Sequence, residues 1–173
     1  MRVPELRELY LAHSQTVSRW AFRLGGPAAD VDDIVQEVFL LAQKSLHSLR
    51  DAGSLRPWLY RITANEVRGR RRRERLRRWL RGGPADYAED AGEGGPTPYD
   101  SLEKRQASEL TYRILDSMSE KYRTVLILFQ LEDMSGEQIS ALTGTKLATV
   151  WVHLHRARAD FLRRLEALQG ACS

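Results

Sequence analysis

Two clusters of charge in this sequence could do chemistry, and neither is the equipment of an enzyme. Arg61 to Arg81 holds ten arginines against Glu66 and Glu74, a local balance of +8. A basic block of that density is the electrostatic footprint of a surface that meets a polyanion. Of the 27 basic residues, 23 are arginine; its planar fork suits phosphates and base edges, although a GC-rich genome would produce the same bias. The second cluster, Asp32, Asp33 and Glu37, is the one acidic group on a helix that could hold a cation. The histidines are His13, His47, His153 and His155, and the last two, two apart on a helix, point in different directions. No glycine-rich phosphate loop, nucleophile elbow or HExxH is present. An enzyme is therefore the least supported function class, and neither a metal nor a cofactor is expected.

These clusters need elements to position them, and the apolar spacing makes those elements helices. Glu5 to Leu24 repeats Leu6, Leu9, Tyr10, Val17, Trp20, Ala21 and Leu24 at threes and fours, and Gly25-Gly26-Pro27 ends it. Asp30, Asp32 and Asp33 open a second helix, where negative charge suits the N-terminus. Its apolar face runs through Ile34, Val38, Leu41 and Ser45-Leu46. His47 to Ser54 reads as a polar loop. A third helix starts near Leu55, with Trp58, Leu59 and Ile62 on one face, and runs on into the arginines. Trp58 is expected in the core rather than stacked on a base.

Residues 82–100 hold five glycines, three prolines and five acidic residues with no base, a composition that cannot offset its ordering entropy by burial. Leu102–Met118 and Glu120–Leu131 are the next helices expected. Ser135 and Gln138 fit a capping box before a short helix through Ile139 and Leu142, which Gly144 can end. A long helix from about Lys146 to Leu168 completes a helix-turn-helix. At 100° per residue Leu147, Val150, Leu154, Ala157, Phe161 and Leu165 form its core stripe. Thr145, Ala148, Thr149, Val152, Arg156 and Arg163 face away, with Trp151 and His153 on the flanks. A solvated helix in a bundle would carry the same pattern, as would an arginine face that binds RNA, acidic protein or anionic lipid. Leu76, Trp79 and Leu80 offer too small an apolar face for membrane insertion, so nucleic acid is favoured.

The fold class expected is all-α: two small helical domains, 1–81 and 102–173, joined by a flexible acidic linker at 82–101. The longest apolar run, Val125 to Phe129, is far too short to span a bilayer, and Met1-Arg2-Val3-Pro4-Glu5 has no signal core. The single Cys172 excludes an internal disulfide framework and a cysteine-rich zinc site. A soluble intracellular protein is expected.

Taken in order, these segments resemble the extracytoplasmic-function (ECF) sigma factors of the sigma-70 family over nearly the whole chain. Residues 30–39, DVDDIVQEVF, resemble region 2.2; residues 56–65, RPWLYRITAN, resemble region 2.3, followed by an arginine-rich region 2.4. Residues 134–144, MSGEQISALTG, with HRAR at 155–158, resemble region 4.2. The resemblance implies docking on the β′ clamp helices of core RNA polymerase through Asp32, Asp33, Gln36, Glu37 and Phe39. It implies opening and reading of the promoter −10 element through Arg61, Asn65, Arg68, Arg71, Arg72 and Arg75, with the His47–Ser54 loop shaping a pocket for a flipped base. It implies −35 reading through Lys146, Thr149, Val152, His153 and Arg156, an apolar outer surface on the second domain that touches the β flap, and a linker threading toward the RNA exit path. A cytoplasmic bacterial protein, monomeric when free, follows from the same likeness. So does control by a separate anti-sigma factor, which can hold it at a membrane without insertion.

Departures from the family pattern gather in the second domain. Trp151, Val152 and His153 stand where lysine, serine and arginine are common, Lys146 where serine is common, and Gly136 where an aromatic is common. Less basic charge at that interface implies weaker or unusual −35 recognition. The chain also reads as lacking an N-terminal autoinhibitory region and any long extension after Leu168. The competing reading is a stand-alone helix-turn-helix regulator, which would bind duplex DNA without polymerase.

Overall fold

The structure, a computed structural model, describes residues 6–49, 52–81 and 98–170. Most of the expected linker and Cys172 lie outside the described residues. Among those described there are seven α-helices, two single 3-10 turns and no strand. The chain divides into two compact units, Met1–Asp90 and Ala91–Ser173.

The first unit is built from α1 (Leu6–Gly25), α2 (Val31–Ser45) and α3 (Leu55–Leu80), which pack pairwise around one core. The glycines behave as expected: Gly26 takes φ 90° and its amide donates to Phe22 O at 2.8 Å, closing α1. Asp30 caps α2, its Oδ1 accepting from the Asp33 amide at 3.0 Å. The core joins Leu9, Val17 and Trp20 of α1, Ile34, Val38 and Phe39 of α2, and Trp58, Leu59, Tyr60 and Val67 of α3. Trp20 meets Tyr60 edge-on at 5.3 Å, which aligns α1 with α3. Trp58 is buried, as its spacing predicted. Beyond Val67 no residue of α3 is buried, yet the helix continues to Leu80. That extension of about 18 Å lies along no core.

The second unit comprises α4 (Pro98–Ser117), α5 (Glu120–Gln130), α6 (Gly136–Thr143) and α7 (Leu147–Gly170). Its first helix starts four residues earlier than the composition suggested, because proline is compatible with the first helical position. Tyr112, Ile114, Leu115, Val125, Ile127, Leu128, Ile139, Leu142, Val150 and Leu154 fill its core. One charge is buried with them: Arg123, fully enclosed, sits 3.3 Å from the Asp116 carboxylate and ties α5 to the end of α4.

The helix-turn-helix forms as its residues require. Ser135 Oγ accepts from the Gln138 amide at 3.2 Å, and Gln138 Oε1 accepts from the Ser135 amide at 2.8 Å. Gly144, at φ 70°, ends α6 with its amide on Ser140 O at 2.9 Å. The core stripe of α7 is narrower than the wheel implied. Val150, Leu154 and Ala157 are buried, Phe161 and Leu165 are half-buried, and Leu147, in the first turn, is exposed.

Gly136 is buried because Trp151 lies over it. A Cβ at 136 would stand 2.5 Å from Trp151 Cζ2 and 2.8 Å from Cε2. The missing aromatic at 136 and the extra one at 151 are thus two halves of one contact between α6 and α7. A Cβ at Gly69, by contrast, meets nothing within 4 Å. Gly69→Ala should therefore stabilise the chain by about 1 kcal/mol. Gly136→Ala should destabilise it by about 1–3 kcal/mol, and that loss should shrink when Trp151 is also alanine. Urea unfolding of these three variants, with Trp151→Ala as the reference for the double change, checks both signs.

Candidate docking and nucleic-acid interfaces

The acidic cluster of α2 lies on the side of the helix away from the core. Asp32, Asp33 and Gln36 are exposed and Glu37 is half-buried. Phe39 departs from its expected place. It is buried to 4% exposure against Tyr10 of α1, ring centroids 4.9 Å apart, although it stands seven residues after the exposed Asp32. A buried ring cannot dock a partner. Leu40, 41% exposed, is the apolar residue that shares the outer face. It stands seven residues after Asp33, four after Gln36 and three after Glu37, a spacing that could have found it from the sequence.

Arg70 connects this cluster to the arginine block. Its guanidinium donates to Asp33 across the helix pair and, through Nε, to Glu66 Oε1 at 2.6 Å, while Arg73 lies 3.7 Å from Glu66. Burial alone would lower the Arg70 pKa, but its two carboxylate partners raise it above the ordinary value. Partly exposed pairs of this kind contribute about 0.2–1 kcal/mol, so the bridge orients more than it stabilises. Sequence spacing could not show it, since Asp33 and Arg70 are 37 positions apart.

On the other side of α3, Arg61, Asn65, Arg68, Arg72 and Arg75 recur at fours and threes, and all are exposed. They make one stripe, within which Arg68 lies 3.4 Å from Asn65 Oδ1. Arg71 is half-buried and off that line. The stripe ends on Trp79, 76% exposed, which is not among the expected −10 residues. Of the loop expected to shape a pocket, 46–48 and 52–54 form single turns, and residues 50 and 51 lie outside the described residues. Among the described residues no group of histidine, cysteine and carboxylate side chains could hold a metal ion.

On α7 the expected contacts separate. Lys146 and Arg156 are exposed, Val152 is 47% exposed, and Thr149 and His153 are half-buried. His153 turns toward Tyr122, ring centroids 5.7 Å apart, and Lys121 Nζ lies 5.1 Å from the Tyr122 ring centre. Trp151 meets Phe129 edge-on at 6.0 Å, and the Arg158 guanidinium covers Phe129 at 5.1 Å. Further along, Arg164 joins α7 to α4 through Ser117 Oγ at 3.0 Å and holds Asp160 at 3.1 Å, with Arg163 also on Asp160.

The comparisons with known proteins bear on both surfaces. Residues 9–77 match sigma-70 region 2, and residues 108–161 match sigma-70 region 4. The ECF RNA polymerase sigma factor SigE of Mycolicibacterium smegmatis is 33% identical over 90% of this chain and 60% of its own length. The RNA polymerase sigma factor NccH of Alcaligenes xylosoxydans xylosoxydans is 31% identical over 94% of this chain and 87% of its own. Among solved structures, CnrH in complex with the cytosolic domain of CnrY matches at 26% identity and TM-score 0.57, covering 94% of this chain and 88% of that one. RpoE of Bartonella quintana in complex with the anti-sigma factor NepR matches in fold, with 22% identity and TM-score 0.60 over 92% of this chain and 96% of that one.

A cationic stripe on one helical unit and a helix-turn-helix in the next, each matching its region in order, define a sigma factor of the sigma-70 family, the class that directs transcription initiation. Within that family the chain belongs to the extracytoplasmic-function group. A stand-alone regulator does not account for region 2, and that reading is set aside.

His153 yields a prediction about acid stability. Burial first, then the positive charges of Lys121 and Arg156, hold its pKa below the ordinary 6.5. The unfolded chain then takes up its proton before the folded one, so stability present at neutral pH falls as pH drops through that value. Asp160 is also held below its ordinary 3.8, by Arg164 and Arg163, against the effect of burial; its contribution is lost only in stronger acid. Thermal melts between about pH 7.5 and pH 5.5 should show a decline that His153→Gln flattens.

Proposed function

We propose that this chain binds core RNA polymerase through the outer face of α2 and places α3 and α7 on the −10 and −35 elements of a promoter. The observation that carries the reading is the segregation of faces on α3. One side is committed to the core through Leu59, Thr63 and Val67, and the other carries five exposed polar or cationic residues in line. Arg61, Arg68, Arg72 and Arg75 would neutralise phosphates and position the strands, and Asn65, with donor and acceptor, would read a base edge. Arg71, off the stripe, would make a peripheral phosphate contact. The chemistry of RNA synthesis would belong to polymerase, so the chain itself is read as no enzyme.

The docking surface is read as Asp32, Asp33, Gln36, Glu37 and Leu40, an acidic rim around one apolar contact. Arg70 would leave Asp33 partly neutralised until a basic partner replaces it. In the second unit Lys146 would hold a phosphate, Thr149 would hydrogen-bond near the groove edge, and Arg156 would fork onto a base. His153 would act from the flank. A flexible linker that ends where α4 begins at Pro98, and a flap-contacting apolar surface on the second unit, belong to the same reading.

An anti-sigma partner is proposed from the likeness to CnrH, solved with the cytosolic domain of CnrY, and to RpoE, solved with an anti-sigma factor. Among the described residues no helix is long and apolar enough to cross a membrane. A cytoplasmic location, with membrane retention only through such a partner, accords with that.

The variant Gln36→Ala/Glu37→Ala/Leu40→Ala removes the docking face while leaving Asp33 on Arg70. It should reduce co-elution with core polymerase at least about 10-fold, with an unchanged circular dichroism spectrum. A folded triple variant that co-elutes normally would refute the docking assignment.

A further inference from the structure

Resting on the −35 assignment above, we propose that Val152 reads thymine, its branched methyl groups meeting the C5-methyl of thymine in the major groove. Val152 lies opposite the buried line Val150–Leu154–Ala157 and is 47% exposed, so core packing gives no reason for it. A β-branched residue is also a poorer helix former than alanine at such a position.

The neighbouring side chains are engaged elsewhere. Trp151 is laid over Gly136 and edge-on to Phe129, His153 faces Tyr122, and Thr149 is half-buried. Along one i+4 line of the first three turns of α7 project Ala148, Val152 and Arg156, beside a second exposed line of Leu147, Trp151 and His155. On the first line two apolar side chains are thus followed by a single guanidinium fork.

Groove chemistry then selects the base. Thymine alone presents a methyl on the major-groove edge; cytosine carries only C5–H at that position, with an amino group where thymine has O4. Val152 would bury its methyl groups against the thymine methyl and lose that contact against the C5–H of cytosine, so it would favour thymine. The departures from lysine, serine and arginine at 151–153 are then not simply lost charge. Trp151 sets the seat of α7 on α6, and Val152 exchanges a hydrogen-bond reader for a methyl reader.

The test uses the full chain with core polymerase and the −35 sequence that this holoenzyme selects from a randomised promoter library. Thymines of that element are replaced one at a time by deoxyuridine, which removes only the C5-methyl. At one or two positions binding should weaken about 4-fold. In Val152→Ala the same replacement should have less than about a 2-fold effect, while Val152→Thr, which keeps one methyl, should retain most of it. Full sequence selection with deoxyuridine tolerated at every position would overturn methyl reading and leave the −35 assignment intact. A deoxyuridine penalty unchanged in Val152→Ala would overturn the role of Val152. No −35 selection at all would remove the assignment on which the inference rests.

Discussion

The continuity of α3 is the constraint on which the first unit depends. One helix of 26 residues must be wall to a core at its start and polycation at its end. Its first half is held by apolar burial, each large side chain contributing about 1.5–3 kcal/mol. Its second half gains nothing of that kind and is crowded with like charge, which Glu66 and Glu74 relieve at intervals through Arg70, Arg73, Arg77 and Arg78. Arg70 stands at the junction. It lies on the core-facing side, just past Val67, where the hydrophobic wall ends and the acidic N-terminal turn of α2 comes within reach. The two charge clusters are therefore not independent, because the basic tract is anchored by one carboxylate of the acidic one.

A different device governs the second unit. Close approach of α6 and α7 is set by a residue without a side chain, and Trp151 fills the space that results. Because Trp151 belongs to the first turns of α7, the same contact that seats the helix also lays part of a large aromatic against α6 while leaving it 44% exposed. Recognition chemistry and packing are thus linked through one residue. The capping box and the left-handed Gly144 hold the ends of α6 by backbone hydrogen bonds, so the turn depends little on charge. Arg123 and Asp116 add an ion pair between a fully buried guanidinium and a partly exposed carboxylate, so removing Asp116 would take a counter-charge from a buried cation.

Much of this was legible in the sequence because it is local. Helix periodicity, the Asp30 cap, the Ser135–Gln138 box, the Gly144 stop and the place of Trp58 in the core all follow from residues a few positions apart. The candidate faces were legible to the same depth. A helical wheel places Arg61, Asn65, Arg68, Arg72 and Arg75 together and turns Val152 and Arg156 outward. Phe39 shows the limit. Its motif suggested a partner contact, but packing against Tyr10 of α1 buries it, and the spacing from Asp33, Gln36 and Glu37 would have nominated Leu40.

What the sequence by itself determined is therefore the set of helices, their apolar faces and the family to which they belong, since each rests on periodic spacing or on a short motif. Only the tertiary structure decided which long-range partners meet: Arg70 with Asp33, Arg123 with Asp116, and Trp151 with Gly136. No periodicity encodes those pairs. They arise when helices already formed are brought within a few ångströms, where a guanidinium finds a carboxylate and an indole finds the space a glycine leaves open.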